Sequence, residues 1–170
     1  MVNIVRQNFR KNAKKFNDMN QQLKTKLGDD VLIEHVGSTA IPKMLGKNIV
    51  DILVGSHSQL QFFELIKKIV DLGYFMSEKS GNEEYRFFAS RKEETQAGDI
   101  HIHLALMGTD RYNDFIILKN YLLKNPIIAK TYSNSKKYAV KASNKNRSDY
   151  KRIKSIFVSD LLEMARKELQ

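Results

Sequence analysis

The residues best suited to chemistry begin at a glycine-serine turn. Gly37, Ser38 and Thr39 sit inside Glu34-His35-Val36-Gly37-Ser38-Thr39-Ala40-Ile41-Pro42. Such a turn between a strand and a helix leaves backbone N–H groups available and lets an anion come close, because glycine carries no Cβ. The two hydroxyls add donors. Asp51 lies on the next apolar run, where its carboxylate can hold Mg²⁺ against phosphate oxygens. A Gly-Ser pair alone often just makes a turn; the interval to a strand aspartate makes this one informative.

A second group is Asp99, His101 and His103, which alternate with apolar residues and so share one strand face. Residues two apart on a strand stand about 6–7 Å apart, so two can share a metal only by leaning together. Imidazole suits Zn²⁺, Ni²⁺ or Mn²⁺ better than Mg²⁺. Histidine can instead act as a general base on an attacking hydroxyl, or contact a phosphate. The plain alternative is a set of polar residues on an open sheet face.

Glu34 and His35 are adjacent on the strand before the turn, so they point to opposite faces and only one can face the cleft. Both are expected to support the site, as is Asp99. His57 falls in a loop and reads as a surface residue. Arg86 is the best single cation for a substrate phosphate or carboxylate, sharing a side with Phe88. Lys47 lies near the start of the Asp51 strand and is a further phosphate contact. For both cations the plain alternative is a solvated charge. The stretch 136–154 carries Lys136, Lys137, Lys141, Lys145, Arg147, Lys151, Arg152 and Lys154 against Asp149 alone, with Tyr138 and Tyr150 interleaved. That is either a footprint for RNA or a polyphosphate tail, or a solvated face.

The elements that must position these groups follow from periodicity. Val5, Phe9, Ala13, Phe16, Met19, Leu23 and Leu27 form one helical stripe that stops at Gly28. Residues 31–36 and 49–54 read as strands; in the second, Ile49, Asp51 and Leu53 share one face. A helix over 58–72 starts with Ser58 and Gln61 as a capping box, with Leu60, Phe63, Ile66, Ile69 and Val70 as its buried stripe. Strands at 74–76 and 85–90 flank a Ser80-Gly81-Asn82 turn, and a loop over 91–98 leads to a strand at 99–106. Helices follow at 114–124, from Pro126 to about Tyr138, and from about Ser148.

The chain has 170 residues, 42% apolar and 28% charged, with 29 Lys+Arg, 19 Asp+Glu, a formal net charge of +10 and no cysteine. This is a globular composition within the roughly 100–200 residues of one domain, so a single domain over 1–170 is expected, helical from about 110. The missing cysteines exclude a disulfide framework, a Cys-ligated zinc site and thiol catalysis, and agree with a reducing cytoplasm. No apolar run approaches the length of a membrane span, and the basic N-terminus lacks the apolar segment of a secretory signal. The positive charge points to an anionic partner. Nothing in the sequence indicates an oligomeric state.

The stretch 34–42, Lys-Asn-Ile-Val-Asp-Ile-Leu-Val at 47–54, Gly73-Tyr74, Arg86-Phe87-Phe88 and His101-Ile102-His103 together resemble the GrpB family. So do the later Asn120-Tyr121-Leu122, Asn125-Pro126, Tyr132, Lys136, Tyr150 and Lys154. The resemblance covers about residues 9–160. It implies the nucleotidyltransferase superfamily by fold: a Gly-Ser turn on a short helix, then a strand with two carboxylates at alternate positions, which hold one or two metal ions beside a triphosphate. Here the alternate position is Leu53. A later strand offers the third metal ligand in that fold, and His101 or His103 would fill its place. Two departures stand out. The family's common Arg-Asp-Tyr-Leu-Arg is Lys119-Asn120-Tyr121-Leu122-Leu123 here, and its Lys-Pro before the Asp strand is Lys47-Asn48.

The expected fold is therefore α/β in an α+β layout, with a nucleotidyltransferase-like mixed, mostly antiparallel sheet, flanking helices and a helical C-terminal segment. The leading functional expectation is transfer of a nucleotidyl group from an NTP to a hydroxyl acceptor. Asp51, His101 and His103 would hold a divalent metal, Mg²⁺ or Mn²⁺ with Zn²⁺ as the alternative, and would carry the catalysis. Gly37, Ser38, Thr39, Lys47 and Arg86 would bind phosphate. The alternative is a non-catalytic module that binds a nucleotide, a phosphorylated metabolite or RNA. A third is a different metal-dependent reaction on the histidine face.

Overall fold

The computed structural model describes residues 1–91 and 98–169. In chain order these form β1 (Val5–Arg6), α1 (Phe9–Leu27), β2 (Leu32–Val36), a single 3₁₀ turn (Ser38–Ala40), β3 (Leu45–Gly46), β4 (Val50–Ser56), α2 (Gln59–Asp71), β5 (Phe75–Asn82), β6 (Tyr85–Ala89), β7 (Ile100–Leu106), α3 (Asp110–Lys124), α4 (Pro126–Ala142) and α5 (Arg147–Glu168). Most of the loop expected over 91–98 lies outside the described residues.

A five-stranded sheet runs in the order β2-β4-β7-β6-β5. Only β4 and β7 are parallel; every other neighbouring pair is antiparallel. The sheet is thus mixed and mostly antiparallel, with helices on both faces and a helical C-terminal segment, as the pattern of elements implies. Strand β4 lies inside the sheet, between β2 and β7, and apart from Asp51 is buried along its whole length. That explains its nearly continuous apolar run, since a strand covered on both faces has little use for polar residues.

The sheet's two faces have separate cores. Val50, Ile52, Val54, Ile100, Ile102, Leu104 and Phe88 pack against α1 and α2. Val36, Leu53, Tyr85 and Ala105 pack on the other side under Tyr112, Phe115 and Ile116 of α3. A third core, including Tyr121, Leu122, Tyr132 and Leu161, joins α3, α4 and α5 and takes in Ile41 and Met44. The turn after β2 is therefore gripped between the sheet and the C-terminal helices. No described helix is long and apolar enough to cross a membrane.

Several local expectations shift. Val5 leaves the helical stripe: α1 starts at Phe9, capped by Asn8, whose side chain accepts from the Lys11 N–H. Val5 instead pairs with Gly46 in the small β1–β3 ribbon. Helix α2 is rotated from the expected stripe. Phe62, Leu65 and Ile69 are buried, whereas Leu60, Phe63 and Val70 are exposed. The 59–71 segment has apolar residues on two overlapping stripes, and packing against the sheet selects one. Strand β5 runs through Ser80-Gly81-Asn82, so the hairpin turns two residues later, past a register shift between Met76 and Gly81. Helix α3 starts four residues early because Thr109 caps it, accepting from the Tyr112 N–H.

The rotated α2 face is directly testable. Phe62 is 0% exposed and Phe63 is 52% exposed. Phe62→Ala is expected to cost about 3–5 kcal/mol in a urea unfolding titration. Phe63→Ala is expected to cost about 1 kcal/mol or less. The reverse order would mean that the stripe read from sequence is the buried one.

Candidate functional site: an Asp-His-His cluster beside a glycine turn

Parallel pairing places Asp51 directly beside His101 and Leu53 beside His103. His101 Nδ1 lies 3.1 Å from Asp51 Oδ1, and His103 Nε2 reaches the same oxygen at 3.4 Å. The two histidines lean toward one carboxylate, as sharing a ligand requires. One donor atom from each of the three residues lies within 4.8 Å of the others, a spacing that can hold a metal ion. The side chain of Asp51 stays 24% exposed, so the cluster has an opening.

The glycine turn touches this cluster. Gly37 has a φ of 71°, and a Cβ there would fall 2.3 Å from Asp51 Oδ2. Only glycine allows both the left-handed backbone and that approach. Beyond it, Ser38 Oγ accepts from Lys136 Nζ at 2.8 Å. Lys136 is 1% exposed and its ammonium also donates to the Leu45 carbonyl. Thr39 is turned inward: it is buried and its hydroxyl meets His35 Nε2 at 2.9 Å. Ser38 is therefore the half-buried hydroxyl of the turn, and Thr39 is committed to the fold.

The other sequence candidates separate. His35 pairs in register with Ile52, so it faces α1 and stacks on Phe16 at 4.7 Å. Glu34 is on the Asp51 face, paired to Lys119 of α3 at 2.6 Å, which brings the Lys119–Leu123 segment over the site's side of the sheet. Lys47 lies over the Tyr150 ring at 4.8 Å, facing α5. Asp99 is not drawn in: Ser90 Oγ donates to it at 2.7 Å and Lys15 of α1 pairs with it. Arg86 is on the wrong face. It pairs in register with Leu104 and donates to the carbonyls of Asn82 and Tyr85. His57 is exposed, with Nε2 3.0 Å from the Asp30 carbonyl oxygen.

Three groups were not singled out from sequence. The Tyr85 hydroxyl lies 2.8 Å from His103 Nδ1. Lys136 of α4 and Lys154 of α5 lie near enough for the Asp51 charge to act on both. In the basic stretch they look no different from their solvated neighbours; the signal that set them apart was the family resemblance, which includes both but gives them no role.

The electrostatics favour a cation at the carboxylate. Burial pushes Asp51 up, but hydrogen bonds from His101 and His103 outweigh it and hold the carboxyl below the usual range. Burial pulls His103 down, more than Asp51 raises it. Both partners moving down does not describe an ion pair, in which the imidazole would rise. Burial wins at His103, so the pair is a carboxylate accepting N–H bonds from neutral imidazole. Tyr85 is raised by burial and stays a phenol, able to donate to Nδ1 while Nε2–H donates to Asp51.

His35 is held at about 4, first by burial and then by the Lys119 charge, against a small opposing pull from Asp51. A histidine that resists protonation in the fold makes the unfolded chain bind more protons between its two pKa values. Stability is therefore expected to fall as pH drops from about 6.5 to about 4, and the His35→Gln variant should show a shallower fall in thermal melts across that window. An unchanged slope would mean His35 titrates normally.

A family model described as GrpB protein matches residues 2–164. Glutamate-rich protein GrpB of Alkalihalophilus pseudofirmus is 30% identical over 146 residues, covering 82% of each chain. UPF0157 protein YqkA of Bacillus subtilis is 28% identical over 74% of this chain, which spans 36% of YqkA's own length. The crystal structure of conserved protein GrpB from Enterococcus faecalis overlays with a TM-score of 0.82 at 25% identity, over 98% of this chain and 99% of that one. A looser overlay, TM-score 0.44 at 12% identity, covers 75% of this chain and 40% of the RNA terminal uridylyl transferase Cid1; so slight a likeness says nothing of activity here. With a family match over nearly its whole length and an end-to-end structural counterpart, the chain belongs to the GrpB family.

Proposed function

We propose that the chain is a metal-dependent, nucleotidyltransferase-like protein that binds an NTP and passes its nucleotidyl group to a hydroxyl acceptor. The observation that carries the reading is the meeting of Asp51, two imidazoles and the Gly37 turn within contact distance. In the reaction the acceptor oxygen attacks the α-phosphorus and the bond to the β-phosphate oxygen breaks. Pyrophosphate leaves with that electron pair, and the acceptor's proton passes to solvent.

The residues present fit a divalent ion, with a preference. One carboxylate and two imidazoles suit Zn²⁺ or Mn²⁺; Mg²⁺, which favours an oxygen shell, is the poorer match. An ion held by Asp51, His101 and His103 would neutralise charge developing on phosphate oxygens. The chain's own part is positional. Tyr85 can accept from His103 Nδ1–H as readily as it donates, so it can fix the tautomer that turns Nε2 toward a ligand. Gly37 keeps the turn close to the carboxylate, and Lys136 holds the Ser38 hydroxyl. A nucleotide-handling role without cysteine chemistry fits a cytoplasmic protein acting as one domain.

A second reading rests on Leu53. It is fully buried where a second carboxylate would stand, and a site with one carboxylate suits a module that binds a nucleotide or phosphorylated metabolite without turning it over. Calorimetry with ATP, GTP, CTP and UTP, each with Mn²⁺, Mg²⁺ or EDTA, separates the two. Metal-dependent binding, stronger with Mn²⁺ and reduced at least about tenfold in Asp51→Asn, is the expected result. Nucleotide binding as tight in EDTA and in Asp51→Asn as with metal supports the module, and no nucleotide binding sinks both.

A further inference from the structure

The basic stretch near the C-terminus is not one surface. Lys137, Lys141, Lys145 and Arg152 are exposed, whereas Lys136 is buried and Lys154 half-buried. With Lys47 these two converge from three elements: the segment before β4, helix α4 and helix α5. Lys136 Nζ lies 4.7 Å from the centre of the Tyr132 ring and Lys47 Nζ 4.8 Å from that of Tyr150. The geometry points to a polyphosphate pocket: Lys47, Lys136 and Lys154, with the phenols of Tyr132 and Tyr150, take the terminal phosphates of an oligophosphate tail. This rests on the nucleotide reading and deepens it by naming the residues that take the terminal phosphates.

The charge of Lys154 acts on the other two lysines, while Lys154 itself is raised, first by Tyr132 and against its burial. Burial lowers Lys47 to about 8 and Lys136 to about 7, and in each the next cause is the charge of Lys154. Arg147 and Lys151 add to the repulsion at Lys47. Among the described residues none of the three lysines forms an ion pair. The carboxylate that acts on all three is Asp51, the one that faces the histidines. Gathering cations in a half-buried recess without a counter-anion is costly. A polyanion removes that cost, and charge-assisted hydrogen bonds from ammonium groups are the usual means of holding phosphate.

Shape favours a chain end over a nucleic-acid backbone. A backbone runs past an exposed basic stripe and is read along its length. Here the lysines come from three elements, two of them lie over tyrosine rings, and Lys136 is 1% exposed. Three cations from three directions also exceed what one orthophosphate needs. Lys136 already donates to Ser38 Oγ, so the pocket adjoins the turn, and a tail seated in it lies next to the Asp51 cluster.

The test uses the full chain in EDTA, with calorimetry of inorganic tripolyphosphate, pyrophosphate and orthophosphate at pH 7. Tripolyphosphate is expected to bind at least about tenfold tighter than orthophosphate. Lys47→Met and Lys154→Met should each weaken it about tenfold. Raising the pH to 9 should weaken it too, as Lys47 and Lys136 discharge. Asp51→Asn should bind as tightly as the parent or tighter, which keeps this result independent of the metal reading. Thermal melts confirm that each variant is folded. Tripolyphosphate binding no tighter than orthophosphate, or unmoved in folded Lys47→Met and Lys154→Met, overturns the proposal. So does a single-stranded RNA that binds through these lysines more tightly than tripolyphosphate does.

Discussion

The site depends on keeping one carboxylate ionised in a largely buried place. Taking Asp51 out of water alone would protonate it. Two imidazole N–H groups prevent that, and both come from β7, one directly beside Asp51 and one two residues further along. The parallel β4–β7 pairing is therefore the constraint behind the cluster. A one-residue slip would turn both histidines to the α1–α2 side and leave the carboxylate without donors. The apolar residues that alternate with the site residues guard that register: Val50, Ile52 and Val54 on one strand, Ile100, Ile102 and Leu104 on the other.

The second constraint is the grip on the turn. Gly37 must stand against Asp51, yet nothing in β2 alone holds it there. Thr39 anchors the turn from below through His35, which stacks on Phe16 of α1. Lys136 of α4 anchors it from above through Ser38 and the Leu45 carbonyl. Packing of α4 and α5 is thereby coupled to the position of the turn. The small β1–β3 ribbon belongs to the same device, since β3 supplies that carbonyl and Ser133 of α4 donates its hydroxyl to Met44 and accepts from the Leu45 N–H.

Much of this was legible in the sequence where the signal is local. Period-two alternation put Asp51 and Leu53 on one face, and His101 and His103 on one face, because that needs only a strand. The Ser58 cap was legible for the same reason, as its partner Gln61 is three residues away. Failures lie where the answer depends on a distant partner. Arg86 was correctly grouped with Phe88, but which side faces Asp51 is decided by pairing with β7, where Phe87 and not Arg86 stands opposite His103. The stripe on α2 was ambiguous because the helix has more apolar residues than one face can bury. Asp99 alternates with His101 yet precedes β7, and Ser90 and Lys15 claim it. Lys136 contacts a serine 98 residues away, and no local pattern separates it from solvated Lys137.

Leu53 ties the site's charge to its ligand. It is fully buried among Val36, Tyr85 and Ala105, so a carboxylate there would be an anion in an apolar wall. The apolar packing under α3 thus restricts the cluster to one carboxylate. At neutral pH Asp51 supplies its negative charge, and burial keeps His103 neutral. A divalent ion would make it net positive, and Lys47, Lys136 and Lys154 stand beside it with no paired carboxylate of their own among the described residues. A neutral or singly charged ligand would leave most of that excess uncompensated at low dielectric, where like charges repel strongly. On the proposed reading the balance closes with a ligand bearing several negative charges in a short length, which is the property that separates a nucleoside triphosphate from a nucleoside or a monophosphate.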